Sequence, residues 1–373
     1  MSSQSPSLYV LKHTPSSGAS LFSSSSQVIP PGTLLFEDRA LFTLPLASKS
    51  EDDVLKAVRS LSKEKLCFFL ELSNCRAGGN KFVGIFKTNV LPAGPQENSS
   101  RDQAQKLQGL QCPLKVLPYA EARPHRSSNA VALQSIDLIH PFLVDKLNRS
   151  GIFPLASRLN HSCSPNAEAT FSASSGTLQV YATHPIEPQQ EITISYLSTK
   201  LLLPTLYRKQ HLLSSFSFEC DCPVCPSIFL TEQEEEMGAE TISSALSESD
   251  IRRSRIQALK LQIDKSFPTS PRETYLDAIR LVQTCRAEGL KLEEAFALAT
   301  LAQVLIMWGG AGTEKCESVV KQVTDAFGIV RGKGGEDATR WARWLGRTGE
   351  HPRAGVLGKW DFEKEVFLNE GLI

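Results

Sequence analysis

Apolar and polar positions divide the chain into a β-rich first part and a helical last part. Between residues 7 and 46, the segments SLYVLKHT and TLLFEDRALFTLP are rich in strand formers, and IPPG (Ile29 to Gly32) is a turn signal, so short strands are predicted here. From Glu51 to Ser73 the apolar residues Val54, Leu55, Val58, Leu61, Leu66 and Phe69 fall at helical spacing behind an acidic first turn, which predicts one helix ending at RAGGN. KFVGIFKTNVLPAG is a short apolar segment closing on Asn89. Residues 93–130 are polar with scattered prolines and read as a variable insertion. LQSIDLIHPFLVDKLN contains Pro141, which argues for a break. Strand character returns over residues 151–197 in GTLQVYATHPI and QEITISYL. PTLYRKQHLLSSF predicts a short helix, and TEQEEEMGAE a solvated acidic junction. From Ser249 onward four segments (IRRSRIQALKLQIDKSF, RETYLDAIRLVQTCRAEGL, LEEAFALATLAQVLIMW and EKCESVVKQVTDAFGIV) place apolar residues three and four apart. Gly289 is the expected C-cap of the second. The pattern predicts stacked helical hairpins without a repeat consensus.

A length of 373 residues suggests two domains, and a formal net charge of zero gives no bulk positive field to attract phosphates. Sequence-specific nucleic-acid binding is therefore not expected. The apolar runs read as too short to span a bilayer, so no membrane partner is expected either. The N-terminus lacks the pattern of a secretory signal. It is serine-rich and free of acidic residues before Glu37, but it has no arginine and only Lys12, which argues against mitochondrial import. Nine cysteines without a secretory signal point to a reducing compartment, nuclear or cytoplasmic, where clustered thiols bind metal more often than they form disulfides.

Two stretches carry the chemistry. CDCPVC places Cys220, Cys222 and Cys225 within six residues, a spacing that can wrap one tetrahedral Zn²⁺. Three unrelated reduced cysteines are the bland alternative, and their tight clustering argues against it. A closed site needs a fourth ligand. Cys163 is the best candidate, with Cys75, Cys112 and His211 behind it. Cys163 lies in SRLNHSCSPNAEATF, where Asn, His, Ser, Cys, Ser, Pro and Asn occupy Asn160 to Asn166. A metal shared by the two stretches staples segments about sixty residues apart.

Together these residues resemble the SET domain of protein lysine methyltransferases. SRLNHSCSPN is similar to that family's N-H-S-C-x-P-N block, EITISYL to its E-[IL]-T-[IF]-x-Y block, and CDCPVC to its post-SET zinc motif. GASLFSSSSQVIPPGTLLFEDRALF resembles, less closely, the block in which a G-x-G loop precedes a strand and a turn. The split layout and helical C-terminal part look most like the MYND-associated SET proteins and their fungal relatives, without the MYND cysteine array. The resemblance implies an α+β fold. A β-rich SET domain with a pseudoknot and a post-SET zinc site would occupy residues 1–226, with a helical insertion at about 48–80 and a variable one at about 92–150. An α-helical domain would occupy residues 227–373.

The same resemblance implies roles. S-adenosylmethionine would lie against Asn160 and His161, beside Gly18, Ala19 and Ser20, with Asn89, Phe218 and Tyr196 also in contact. Tyr196 would be catalytic, and one structural zinc would sit on Cys163, Cys220, Cys222 and Cys225. The bland readings are a turn or cap for Asn160, a buried structural histidine for His161, and core packing for Phe218 and Tyr196. The sequence departs from the pattern at Ser20, where the second glycine is usual and a Cβ would strain a positive φ. It departs again at Gln189 or Gln190, where a glycine usually precedes the E-[IL]-T block. The implied function is lysine methylation of a histone or non-histone protein by a monomer. Two other classes compete with it. One is a catalytically weak, zinc-stapled interaction scaffold, and the other a nucleic-acid-binding zinc protein, for which the basic IRRSRIQALK is a poor argument because such helix residues usually form a solvated face.

Overall fold

The computed structural model describes residues 7–14, 18–45, 50–76, 79–92, 149–225 and 247–362. Cys112, LQSIDLIHPFLVDKLN, TEQEEEMGAE and nearly all of the expected variable insertion lie outside the described residues.

Strands β1 (Tyr9–Thr14) and β2 (Gly18–Ser23) form an antiparallel hairpin that sets Lys12 opposite Ser20. The IPPG turn follows. Thr33 N donates to Pro30 O at 3.3 Å, and Gly32 takes φ +84°, a conformation that favours glycine. Next come β3 (Leu34–Asp38) and β4 (Phe42–Pro45).

The expected single helix over 51–73 is two helices, α1 (Glu51–Arg59) and α2 (Lys63–Leu70). Serine explains the break. Ser60 Oγ donates back to Ala57 O at 2.7 Å, and Ser62 caps the next helix by accepting from Lys65 N. KFVGIFKTN is itself helical, α3 (Lys81–Asn89), capped by Asn80. The three helices bury Val54, Val58, Phe69, Ile85 and Phe86 in a small core that also takes in Leu41 and Ile152. Strand β5 (Leu91–Pro92) then joins β6 (Arg149–Ile152), the middle strand of the sheet β4–β6–β5.

A turn of 3₁₀ helix (Ala156–Arg158) leads into β7 (Asn160–His161). Strands β8 (Ala167–Ser172) and β9 (Thr177–Ala182) follow, in a sheet ordered β3–β9–β8. Strand β10 (Thr193–Ile194) runs parallel to β7, pairing Thr193 with Asn160 and Ile194 with His161. Asn166 locks this crossing. Its Nδ2 donates to Glu191 O at 2.8 Å, and its Oδ1 accepts from Thr193 N at 2.9 Å. The two polar blocks quoted above are thus held side by side by backbone pairing and one buried amide.

The rest is helical: α4 (Thr205–Phe216), then α5 (Glu248–Ser266), α6 (Pro271–Glu288), α7 (Lys291–Leu305), α8 (Glu314–Arg331) and α9 (Glu336–Ala342). Gly289 caps α6 at φ +73°, as expected. From α5 onward, consecutive helices pack against one another around a core that includes Ile256, Val282, Ala302, Leu305 and Val320. Residues Lys291–Gly310 have a mean hydropathy of 1.3 and are, contrary to the sequence reading, long and apolar enough to cross a bilayer. That stretch is 67% buried within the helical core, which accounts for its composition. IRRSRIQALK also departs from expectation: Arg253 does not lie on a solvated face but is fully buried.

Helix α8 packs on β8 and β9. At its end Gly332 takes φ +81°, and a Cβ there would overlap the Tyr181 hydroxyl. Gly332→Ala is therefore expected to destabilise the fold by about 1–3 kcal/mol, read from urea unfolding midpoints. Asn166→Ala leaves the Glu191 carbonyl and the Thr193 amide without their partner. It should cost about 1–3 kcal/mol in the same assay.

Candidate active site and metal centre

Cys163, Cys220, Cys222 and Cys225 bring their sulfur atoms within 4.8 Å of one another. The Cys163 Sγ lies 4.0 Å from that of Cys220 and 3.5 Å from that of Cys225. A Zn–S bond of ~2.3 Å in tetrahedral geometry requires S···S edges of about 3.8 Å, so the donor set fits one ion. Cys163, Cys220 and Cys225 are buried and Cys222 partly so. The turn that brings the last two together is closed by Cys225 N donating to Cys222 O at 2.8 Å. Among the described residues, the other two candidate ligands, Cys75 and His211, are engaged elsewhere. The Cys75 thiol contacts Thr88 Oγ1, and the His211 ring lies 3.1 Å from Lys200 Nζ.

Buried Asp38, at the end of β3, positions the chain that enters this site. Its Oδ2 accepts from Leu155 N and Ala156 N at 2.7 and 2.9 Å and so caps the 3₁₀ turn before β7. Burial raises the Asp38 carboxyl, and the backbone donors partly offset this.

His161 spans the cysteine cluster and Tyr196. Its Nδ1 accepts from Tyr196 N at 3.0 Å, and its Nε2 lies 3.2 Å from Cys163 Sγ. Burial pushes the imidazole down to about 4, so it is neutral at neutral pH. Because Nδ1 is an acceptor, the single ring proton sits on Nε2 and points at the sulfur. Both ring nitrogens are thus engaged, one with a thiol and one with the backbone.

Tyr196 donates its hydroxyl to Leu159 O at 2.5 Å. Burial is the main cause that raises this phenol well above its ordinary value, with Glu191 and Cys75 adding to it. Its ring centroid lies 4.9 Å from Phe216, 5.4 Å from His161 and 6.4 Å from Phe218. These four rings form an aromatic cluster beside the cysteines.

Asn160 donates both protons of its amide, to Ser20 Oγ at 2.6 Å and to Glu191 Oε1 at 2.7 Å. Gly18, Ala19 and Ser20 lie in strand β2 rather than in a loop. Ser20 is fully buried and has no positive φ, so the expected strain at this position is absent. Of the two glutamines in the other glycine position, Gln189 takes φ +63° and Gln190 does not take a positive φ. Asn89 is buried at the end of α3. Its Nδ2 donates to Ser73 O and Ile85 O at 2.6 and 2.8 Å, a structural engagement of the group expected to meet a ligand.

Sequence reasoning missed several members of the site. Phe216 stands two residues before Phe218 in the same FSF run, and that proximity was the available signal. Glu191, the partner of Asn160, was quoted only as part of a motif. Arg208 and Arg253, which touch the cysteine segments, carried no signal, because arginine in an amphipathic helix usually faces water.

Comparison with known proteins places these blocks in a family. The SET domain profile matches residues 24–197. N-lysine methyltransferase SMYD2-A of Danio rerio is 30% identical over 164 residues, which cover 44% of this chain and 35% of that protein. Histone-lysine N-methyltransferase set5 of Schizosaccharomyces pombe is 26% identical over 250 residues, covering 66% of this chain and 72% of that protein. Histone-lysine N-methyltransferase ASHR1 of Arabidopsis thaliana is 29% identical over 173 residues, 40% of this chain and 35% of that protein. The chain thus spans about a third of the length of SMYD2-A and ASHR1 and about 70% of set5. With the N-H-S-C and E-I-T blocks paired as β7 and β10 inside the matched region, the chain carries a SET domain, homologous to the SMYD and Set5 lysine methyltransferases.

Proposed function

We propose that this chain is a protein-lysine N-methyltransferase. It transfers a methyl group from S-adenosylmethionine to a lysine side chain of a histone or another protein, with one zinc ion held by Cys163, Cys220, Cys222 and Cys225. The observation that carries the reading is the aromatic cluster around Tyr196, placed next to the Asn160–Ser20–Glu191 network by the β7–β10 pairing.

S-adenosylmethionine supplies a methyl group on a cationic sulfur, which is already a strong electrophile. The protein's tasks are therefore to bind two cations, align them and exclude water. Glu191 and the aromatic faces suit that charge, since a carboxylate and π-systems both attract cations. Tyr196 is neutral at neutral pH, because its phenol is raised by burial. It is not a phenolate base. With its proton committed to Leu159 O, its oxygen lone pairs can accept from a lysine amine and orient it. A lysine ammonium with a solution pKa of ~10.4 must lose a proton before it attacks, and an aromatic, water-poor wall favours the neutral amine.

Calorimetric titration of the zinc-loaded protein with S-adenosylmethionine tests the cofactor reading. Micromolar binding is expected, lost or strongly weakened in Asn160→Ala. Tyr196→Phe should bind the cofactor as the unaltered protein does while lowering methyl transfer to substrate proteins by about 10²-fold or more. A folded, zinc-containing protein that binds no S-adenosylmethionine would establish the interaction scaffold instead.

Cys222→Ser tests the metal reading. Zinc measured by mass spectrometry should fall from one equivalent to well below one. Thermal stability should fall with it, because metal binding is coupled to folding. A variant that keeps full zinc, or a parent protein that never holds it, sinks the assignment.

A further inference from the structure

Two guanidinium groups lie against the cysteine segments, and both are fully buried: Arg208 and Arg253. Arg208 Nη2 is 3.4 Å from Cys225 Sγ and donates to Val224 O at 3.1 Å, while Nη1 donates to Asp250 Oδ1 at 3.0 Å. Arg253 Nη2 donates to Cys163 O at 2.7 Å, Nη1 to Leu201 O at 2.6 Å, and Nε to Glu288 Oε1 at 2.6 Å. Asp250 also holds the start of α4, accepting from Thr205 N at 2.8 Å. Arg253 and Asp250 come from α5, and Glu288 from the end of α6. Helix α5 therefore reaches the Cys163 segment directly through Arg253, and the Cys225 segment indirectly, through Asp250 bound to Arg208 of α4.

Burying an ion costs several kcal/mol, and an apolar side chain would serve helix packing better. Arg208 even leaves its Nε buried without a partner. The cost has a use if the cysteines hold a metal. Four neutral thiols without zinc carry no charge, whereas four thiolates around Zn²⁺ form a doubly negative centre. Nearby buried cations therefore stabilise the loaded state over the empty one, and an N–H aimed at a thiolate acts in the same direction.

We propose that Arg208 and Arg253 are positioning residues of the metal centre, holding the charge of the tetrathiolate and fixing the Cys163 and Cys225 segments, so that zinc retention depends on the C-terminal helical region. The inference rests on the metal reading above. It also links the helical region to the reaction site, because the Cys163 segment it grips is the one whose sulfur faces His161.

The test uses the full-length, zinc-loaded protein and the variants Arg208→Met, Arg253→Met and Arg253→Lys. Zinc affinity is measured by competition with a chromogenic chelator. It is expected to fall about 10- to 100-fold in the methionine variants, the usual effect of losing a hydrogen-bonding neighbour of a metal ligand, with part restored by lysine at 253. In cobalt-substituted protein, the sulfur-to-metal charge-transfer band should shift in Arg208→Met, because a hydrogen bond to Cys225 Sγ is lost. A purely structural arginine would not move that band in a folded protein. If a single variant fails to fold, the charge-balanced pairs Arg208→Met with Asp250→Asn and Arg253→Met with Glu288→Gln take its place. Folded variants with unaltered zinc affinity and an unaltered cobalt band overturn the proposal while leaving the metal reading intact. An unaltered protein that binds no zinc overturns both.

Discussion

Four sulfur atoms drawn from two distant stretches set the geometry on which the rest of this site depends. Cys163 reaches the other three only because β7 and β10 run in parallel and Asn166 clamps the crossing. The His161 imidazole then transmits the sulfur position to the backbone of Tyr196. A rigid ring with both nitrogens engaged is a stiff connector, unlike a flexible side chain that meets one partner. Displacement of the cysteine cluster therefore moves the Tyr196 backbone as well.

Local patterns carried much of this architecture into the sequence. Strand formers around the IPPG turn, the helical spacing beyond Ser249 and the Gly289 cap reflect short-range physics, and they were readable because each depends on neighbours within a few residues. The C-x-C-x2-C run was readable for the same reason, since a loop of six residues fixes its own bite. The split between α1 and α2 was not. Ser60 and Ser62 each act on a backbone group three residues away, and periodicity is blind to that competition. Long-range pairings were equally out of reach. Nothing in the order of residues says that Asn89 spends its amide on Ser73 and Ile85, or that Asn160 spends its own on Ser20 and Glu191.

Helix α5 makes the limit concrete. Its hydrophobic pattern is that of an ordinary surface helix, and the arginines in IRRSRIQALK look like its wet side. Ile251 is instead 56% exposed while Arg253 is fully buried, a reversal of the usual preference. The reversal is explicable only from the partners: Glu288 on α6, the Leu201 carbonyl and the Cys163 carbonyl. A charged group is better tolerated inside when it is paired and hydrogen-bonded, and all three guanidinium nitrogens of Arg253 have partners, two of them on segments far apart in sequence. The helical region is thereby joined to the SET domain by directional polar contacts as well as by packing. Directional contacts fix register in a way that a greasy interface does not.

The two departures from the glycine pattern have different physical weight. Ser20 lies in an extended strand, where a Cβ costs nothing, and its hydroxyl accepts a hydrogen bond from Asn160. The substitution adds a fixed partner to the amide and restricts how that amide can meet a ligand. Gln189 is the converse case. It occupies the left-handed region, which costs a side-chain-bearing residue ~1–2 kcal/mol and a glycine nothing. Its contact with Lys12 is on the exposed surface and returns little. The strain at Gln189 therefore rests on the strand that follows it, where Ile192 N donates to Leu21 O and Thr193 N to Asn166. Those bonds hold Glu191 against Asn160 whatever residue precedes it. The Ser20–Asn160–Glu191 network is thus held independently of the glutamine turn, which bears on stability.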